Sequence, residues 1–253
     1  MKPYVVIIGG GPAGTCCAMA LAQRGIKDIL LIEASDYSSY RIGESIPPDS
    51  KVLFSKLDLW EAFLAEDHQP CYGTRSWWGD DKRGYNDTIL SPFGHGWHLD
   101  RSRFNAFLAE QAEKAGINVW KQSRFVSVVN SSAGIHTLRI KKGANTTDIQ
   151  ANFVVDASGA KGCFAQQMRS KKTKDQSLVS LACRFFIGNQ ENAPSHQTHL
   201  EAVENGWWYA ARLPENHLLI SFTSSAQLIK DISVTDMSDW LTLLEQAPNT
   251  HLL

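Results

Sequence analysis

The stretch Tyr4-Val-Val-Ile-Ile8, running into Gly9-Gly-Gly-Pro-Ala-Gly14, decides the fold. An unbroken apolar run rich in β-branched residues reads as a strand covered on both faces, the pattern of a parallel sheet. Thr15–Arg24 is rich in small residues and reads as a helix, with Gly25 as its C-cap. Asp28-Ile-Leu-Leu-Ile-Glu33 is a second buried strand, ending in an acid. The turn carries G-x-G-x-x-G. Gly9 permits the tight turn, Gly11 lets the backbone approach a pyrophosphate past Pro12 and Ala13, and Gly14 lets the helix pack on the strand. The helix start offers N–H groups and a positive dipole to phosphate. Glu33 lies 19 residues beyond Gly14, where an acid can reach ribose hydroxyls.

Working outward, 25 Lys+Arg against 26 Asp+Glu give a net charge of −1, which argues against a dedicated nucleic-acid binder. With 43% hydrophobic and 20% charged residues, the chain has a globular composition. Its 253 residues allow one large domain or two small ones. Cys16, Cys17, Cys71, Cys163 and Cys183 form no C-x-x-C pair, so neither a disulfide scaffold nor a zinc ribbon is expected. His95-Gly-Trp-His98 and His196-Gln-Thr-His199 lack the Glu of H-E-x-x-H, and no metal site is expected. The basic run Arg169–Lys174 reads as a solvated loop. No apolar run approaches the ~20 residues of a membrane span. The expectation is a soluble cytoplasmic protein with no membrane or nucleic-acid partner.

Four ordered stretches carry a resemblance. They are the first strand–turn–helix–strand unit, Arg41-Ile-Gly-Glu-Ser-Ile-Pro-Pro48, Leu99-Asp-Arg-Ser-Arg-Phe-Asn-Ala-Phe-Leu108 and Phe153-Val-Val-Asp-Ala-Ser-Gly159. Together they resemble the FAD-dependent aromatic hydroxylase superfamily, and within it the tryptophan-halogenase-like flavoproteins. The resemblance implies FAD as cofactor. It places Arg41, Gly43 and Arg101 along the phosphate and ribityl part, Val126 near the adenine, and Asp156 and Gly159 at a strand end facing the cofactor. Guanidinium groups suit phosphate through their fixed fork of donors. Glu44, beside the expected flavin ring, is the candidate for proton handling; no other catalytic residue is assigned. No second G-x-G-x-x-G occurs, so reducing equivalents are expected from NAD(P)H binding without its own domain, or from a partner reductase.

Between these stretches the pattern changes to strands with hairpin turns: Cys71–Trp78, Thr88–Leu99, Leu178–Gly188, Gln197–Val203, Trp207–Leu213 and His217–Ser224, with a helix at Ser238–Glu245. The fold class expected is α/β: a Rossmann-type FAD-binding domain (1–70 and 99–165) interleaved with a mainly antiparallel β substrate domain (71–98 and 173–253), lacking the family's C-terminal part. Trp78, Trp208 and Tyr209 are candidates for contact with an aromatic substrate. Trp78 and Trp208 stand in the pairs Trp77-Trp78 and Trp207-Trp208, whose members point to opposite faces of a strand.

The family's third flavin contact, a Gly-Asp segment, is not found, and the 253-residue chain is expected to hold FAD weakly or not at all. Trp207-Trp-Tyr-Ala-Ala-Arg-Leu-Pro214 is not the halogenases' W-x-W-x-I-P, and Lys82, in a polar loop with Asp80, Asp81 and Arg83, reads as exposed. The leading expectation is therefore an FAD-dependent monooxygenase that hydroxylates an aromatic ring. The R-x-G-E-S-x-P-P loop and the GWWY stretch look closest to the flavoproteins that mature tryptophylquinone cofactors of lysine and glycine oxidases, which implies a quinoprotein precursor as partner. The rivals are a flavin-dependent halogenase or small-aromatic hydroxylase, and a flavin-free binding or chaperone protein that keeps the fold.

Overall fold

A computed structural model describes residues 3–79, 82–188 and 194–253; Asp80 and Asp81 of the Lys82 loop lie outside these. In chain order the first elements are β1 (Val5–Ile8), α1 (Pro12–Gln23), β2 (Ile29–Ile32), β3 (Ser45–Ile46), α2 (Ser50–Lys56) and α3 (Trp60–Leu64). Next come β4 (Gln69–Cys71), β5 (Gly73–Trp77), β6 (Gly84–Asp87), β7 (Gly96–His98) and α4 (Arg101–Lys114). Then follow β8 (Asn118–Trp120), β9 (Ser123–Ser132), β10 (Ile135–Lys142), β11 (Asn145–Ala151), β12 (Phe153–Asp156) and α5 (Cys163–Gln167). The chain continues with β13 (Leu178–Phe186), β14 (Thr198–Val203), β15 (Gly206–Leu213), β16 (His217–Ser225), α6 (Ala226–Ile232) and α7 (Met237–Leu244).

The chain divides into two compact units. The first comprises 1–42, 55–60 and 101–173, the second 43–54, 61–100 and 174–253. Segments 43–54 and 61–70, expected with the cofactor domain, thus go with the second unit. The reason is backbone pairing: β3 and β4 both bond to β7.

The first unit is built on a parallel sheet of order β12-β1-β2-β8. Every residue of β1 and β2 is buried, as the unbroken apolar runs require. Val6, Ile8, Leu30 and Ile32 pack against Phe125, Leu138, Ile140, Ile149 and Ala151 of the antiparallel meander β9–β10–β11. α1 packs beside α4, which buries Phe104, Phe107 and Leu108.

The second unit carries a six-stranded sheet of order β13-β16-β15-β14-β5-β6, antiparallel except for the β14–β5 pair. Two tight turns shape it. Val203 pairs with Gly206, and Glu215 and Asn216 both adopt positive φ in the turn joining β15 to β16. α7 lays Trp240, Leu243 and Leu244 on Trp208, Ile220 and Phe222. The expected strand Thr88–Leu99 forms only as β7; its beginning, Thr88–Leu90, is a 3-10 turn. Among the described residues no helix is long and apolar enough to cross a membrane.

Candidate cofactor site

The glycine turn works by close approach. Gly9 sits at φ +111, and a Cβ there would lie 2.3 Å from the Ala157 carbonyl oxygen. A Cβ on Gly14 would lie 1.9 Å from the carbonyl oxygen of Gly9, so α1 packs on the turn with no room for a side chain. Gly11 is different. It is the N-cap of α1, no side chain caps the helix there, and a Cβ on it would meet nothing within 4 Å. The helix start therefore presents its N–H groups to open space.

That space is a cavity of about 690 Å³ within the first unit. Gly9, Gly11, Pro12 and Ala13 line it from the turn, Glu33 and Arg41 from beyond β2, Arg101 and Asn105 from α4, and Gly159 and Lys161 from beyond β12. Arg124 of β9 completes a set of four cations facing a single carboxylate. A cavity of this volume, with helix N–H groups at one wall and cations around it, fits a dianionic dinucleotide.

Glu33 is buried and braced before any ligand arrives. Its Oε2 accepts from the Gly10 N–H at 2.7 Å, and its Oε1 accepts from the Ser35 N–H at 2.8 Å and the Ser35 hydroxyl at 2.6 Å. Arg41 stands 3.8 Å from the same carboxylate and is half exposed. Arg101 donates to the Ile42 carbonyl and to Asn105 Oδ1, both at 3.4 Å, which holds its guanidinium at the cavity wall.

Four predicted cofactor residues stand elsewhere. Gly14 packs under the turn. Gly43, at φ +104, turns the chain toward β3, and its N–H donates to Glu44 Oε2 at 2.9 Å. Val126 is exposed, and its carbonyl accepts from Gln167 Nε2 at 2.9 Å; Ser123, Arg124 and Phe125 line the cavity instead. Asp156 turns its carboxylate away: it accepts from the N–H groups of Ser158, Phe164 and Ala165 at 3.2, 2.9 and 2.8 Å, which ties β12 to α5. Burial would raise this carboxyl, but the Ser158 hydroxyl and those N–H groups outweigh it and hold it below the usual carboxylate range. Arg124, Asn105 and Lys161 went unnoticed in the sequence because charged and amide residues of this kind are ordinarily surface groups.

In the second unit the substrate candidates separate. Trp208 is 1% exposed, with its ring centroid 5.0 Å from Phe222 and 5.5 Å from Trp240; it is core and cannot meet a substrate. Tyr209, on the opposite face of β15, pairs its hydroxyl with Ser45 Oγ at 2.8 Å. Burial first, and then the charge of Glu44, keep that phenol protonated well above its ordinary range. Trp78 is 58% exposed, 6.4 Å from the Trp207 ring. Glu44 is buried, and its main-chain carbonyl accepts from Leu99 N–H at 2.7 Å. Lys82 is exposed. No cluster of three or more His, Cys, Asp or Glu fit for a metal occurs among the described residues.

The family profile for an FAD binding domain matches residues 2–199. The chain belongs to this family of FAD-binding flavoproteins, and FAD is its cofactor. It is 26% identical over 242 residues to the putative FAD-dependent oxidoreductase LodB of Marinomonas mediterranea, covering 95% of this chain and 65% of LodB. It is 30% identical over 221 residues to the flavin-dependent halogenase armH3 of Armillaria mellea, covering 81% of this chain and 43% of that enzyme. Among solved structures, the myxobacterial FAD-dependent halogenase CndH matches with a TM-score of 0.87 at 21% identity, covering 99% of this chain and 59% of that one. The p-nitrophenol 4-monooxygenase PnpA of Pseudomonas putida matches at 0.78 and 13%, covering 98% and 64%. These last two likenesses concern the fold. The chain spans about two thirds of LodB and under half of armH3.

Proposed function

We propose that this chain is the cofactor-holding and substrate-facing part of an FAD-dependent monooxygenase that hydroxylates an aromatic ring, and that the ring is a tryptophan carried by a partner protein. The carrying observation is the cation-lined cavity of the first unit, which suits the FAD that the family implies. The bound flavin supplies the redox and oxygen chemistry. Gly11 and the α1 N-terminus receive its diphosphate; Arg41, Arg101, Arg124 and Lys161 balance its charge; Glu33, already aimed by Gly10 and Ser35, accepts from the ribose.

Hydroxylation is favoured over halogenation by Trp207-Trp-Tyr-Ala-Ala-Arg-Leu-Pro214, which departs from the halogenases' W-x-W-x-I-P, and by the exposure of Lys82. A protein substrate is favoured by the exposed Trp78, whose ring lies 6.4 Å from that of the half-buried Trp207 and offers apolar surface to solvent. Halogenation is the second reading, and the halogenase relatives support it. The deciding experiment supplies the full-length protein with FAD, a reductant, oxygen, chloride and a tryptophan-containing protein precursor, and follows product mass. A gain of one oxygen atom supports the reading. Exchange of hydrogen for chlorine, or no change with a protein and turnover of a free phenol, overturns it.

A further inference from the structure

The second unit holds a line of buried polar groups outside the cofactor cavity. Cys71 closes β4 with 8% of its surface exposed. Its thiol donates to the Gly73 carbonyl oxygen at 3.3 Å; the sulfur also lies 3.6 Å from the Thr198 hydroxyl oxygen, and that oxygen lies 2.9 Å from His98 Nε2. His98 is fully buried, with Nδ1 3.0 Å from the Arg212 carbonyl oxygen. A carbonyl can only accept, so Nδ1 carries a proton; in the neutral form of the ring Nε2 is then bare and is the acceptor beside Thr198. The Thr198 hydroxyl donates to Nε2 and turns its lone pairs toward the thiol. The order is nucleophile, hydroxyl bridge, base and orienting carbonyl, drawn from β4, β14, β7 and β15. Pairing of β4 with β7, Cys71 opposite Gly96, fixes the near side of this line.

We propose that Cys71 is a reactive thiol, deprotonated through Thr198 by His98, and that hydrogen peroxide oxidises it to a sulfenic acid. The S–H turns from the Gly73 carbonyl to Thr198 Oγ1 and passes its proton there as the Thr198 hydroxyl proton passes to His98 Nε2, leaving thiolate and imidazolium. The sulfur attacks one peroxide oxygen; an S–O bond forms and the O–O bond breaks. The departing hydroxide takes the His98 proton and leaves as water. Sulfur loses two electrons and peroxide gains them, so thiol plus peroxide becomes sulfenic acid plus water.

The surroundings agree. Burial pushes the Cys71 thiol up, but the nearby His98, with the Gly73 main chain and the Thr198 hydroxyl, brings it down to about 7. Burial, with the charges of Glu44 and Cys71, keeps the Tyr209 phenol protonated, and its hydroxyl pairs with Ser45 Oγ. Cys16 goes the other way, pushed up to about 11 by burial and by Cys17, and burial raises Cys17 and Cys183. The proposal is independent of the aromatic substrate.

The test uses native full-length protein. Limiting hydrogen peroxide, then dimedone and peptide mass spectrometry, should label Cys71 at least about tenfold faster than Cys183, since each unit of thiol pKa is about tenfold in thiolate. Iodoacetamide alkylation of Cys71 should rise with a midpoint near pH 7. Thr198→Val and His98→Gln should each move that midpoint up by about one unit and slow sulfenic acid formation about tenfold. The wild-type pH profile needs no substitution, so it decides even if a variant misfolds. A wild-type midpoint above about 8.5, the free-thiol value, or labelling of Cys71 no faster than Cys183, overturns the proposal.

Discussion

Gly14 and Gly11 stand three residues apart in one turn, yet a methyl group does opposite things at each. At Gly14 it collides with main-chain oxygen 1.9 Å away, which cannot swing aside. Gly14→Ala should therefore cost about 1–3 kcal/mol or more of stability, read from the shift of a denaturant midpoint. At Gly11 it meets open space inside the cavity, so Gly11→Ala should cost under ~1 kcal/mol in the absence of flavin. Flavin fluorescence quenching should nevertheless show weakened FAD binding, because the methyl would intrude into the cavity space proposed for the diphosphate. Equal effects of the two substitutions on stability would contradict this assignment. Both glycines were legible in the sequence, because their spacing is local. Asp156 was misread for the same locality: its strand-end position was visible, but its partners at Phe164 and Ala165 depend on how the chain returns.

At the scale of elements, β15 shows what alternation decides. GWWYAARL puts Trp208 and Ala210 into the core on one face and leaves Trp207 and Tyr209 partly open on the other, where Ala211 and Leu213 are buried in a separate small cluster. Period 2 was readable in the sequence. Which face met α7 was not, because that depends on Trp240 and Leu244 arriving from a distant helix. Trp208→Ala should cost about 3–5 kcal/mol through the cavity it leaves. Trp78→Ala should change stability by no more than ~0.5 kcal/mol. It should instead reduce turnover of a protein substrate, with the comparison read by thermal melting against product formation. α5 makes a similar case: Asp156→Asn should loosen the β12–α5 joint by about 1–3 kcal/mol.

At the scale of the molecule, charge sets two behaviours. The cavity gathers Arg41, Arg101, Arg124 and Lys161, so FAD affinity should fall as salt rises. Arg101→Ala or Lys161→Ala should weaken it about tenfold, as a titration of flavin fluorescence would show. Acid should act on the second unit. His199 is buried, and that burial, with Arg75 nearby, pulls its pKa from 6.5 to about 4. Its folded value lies below its unfolded one, so the stability tied to the neutral ring is complete above pH 6.5 and is lost as pH falls toward 4. The loss is on the order of 2 kcal/mol. Below that range Glu201 adds to it. Burial would raise this carboxyl, but Thr250 and Asn249 donate to it through side chain and main chain and hold it below its ordinary value. Protonating it at lower pH removes those charge-assisted bonds. Denaturant melts across this range should show the loss, and His199→Gln should flatten the upper part of the curve.

By itself the sequence determined the strand–turn–helix–strand unit, its glycine spacing and the acid at Glu33, because turn sterics and strand burial act between near neighbours. Only the tertiary structure decided that Trp208 is core, that Asp156 serves α5, that Arg124 and Lys161 join the cofactor cavity, and that Cys71, Thr198 and His98 meet. These depend on strand pairing and packing across tens of residues, and side-chain type and spacing carry no record of which distant strand arrives alongside.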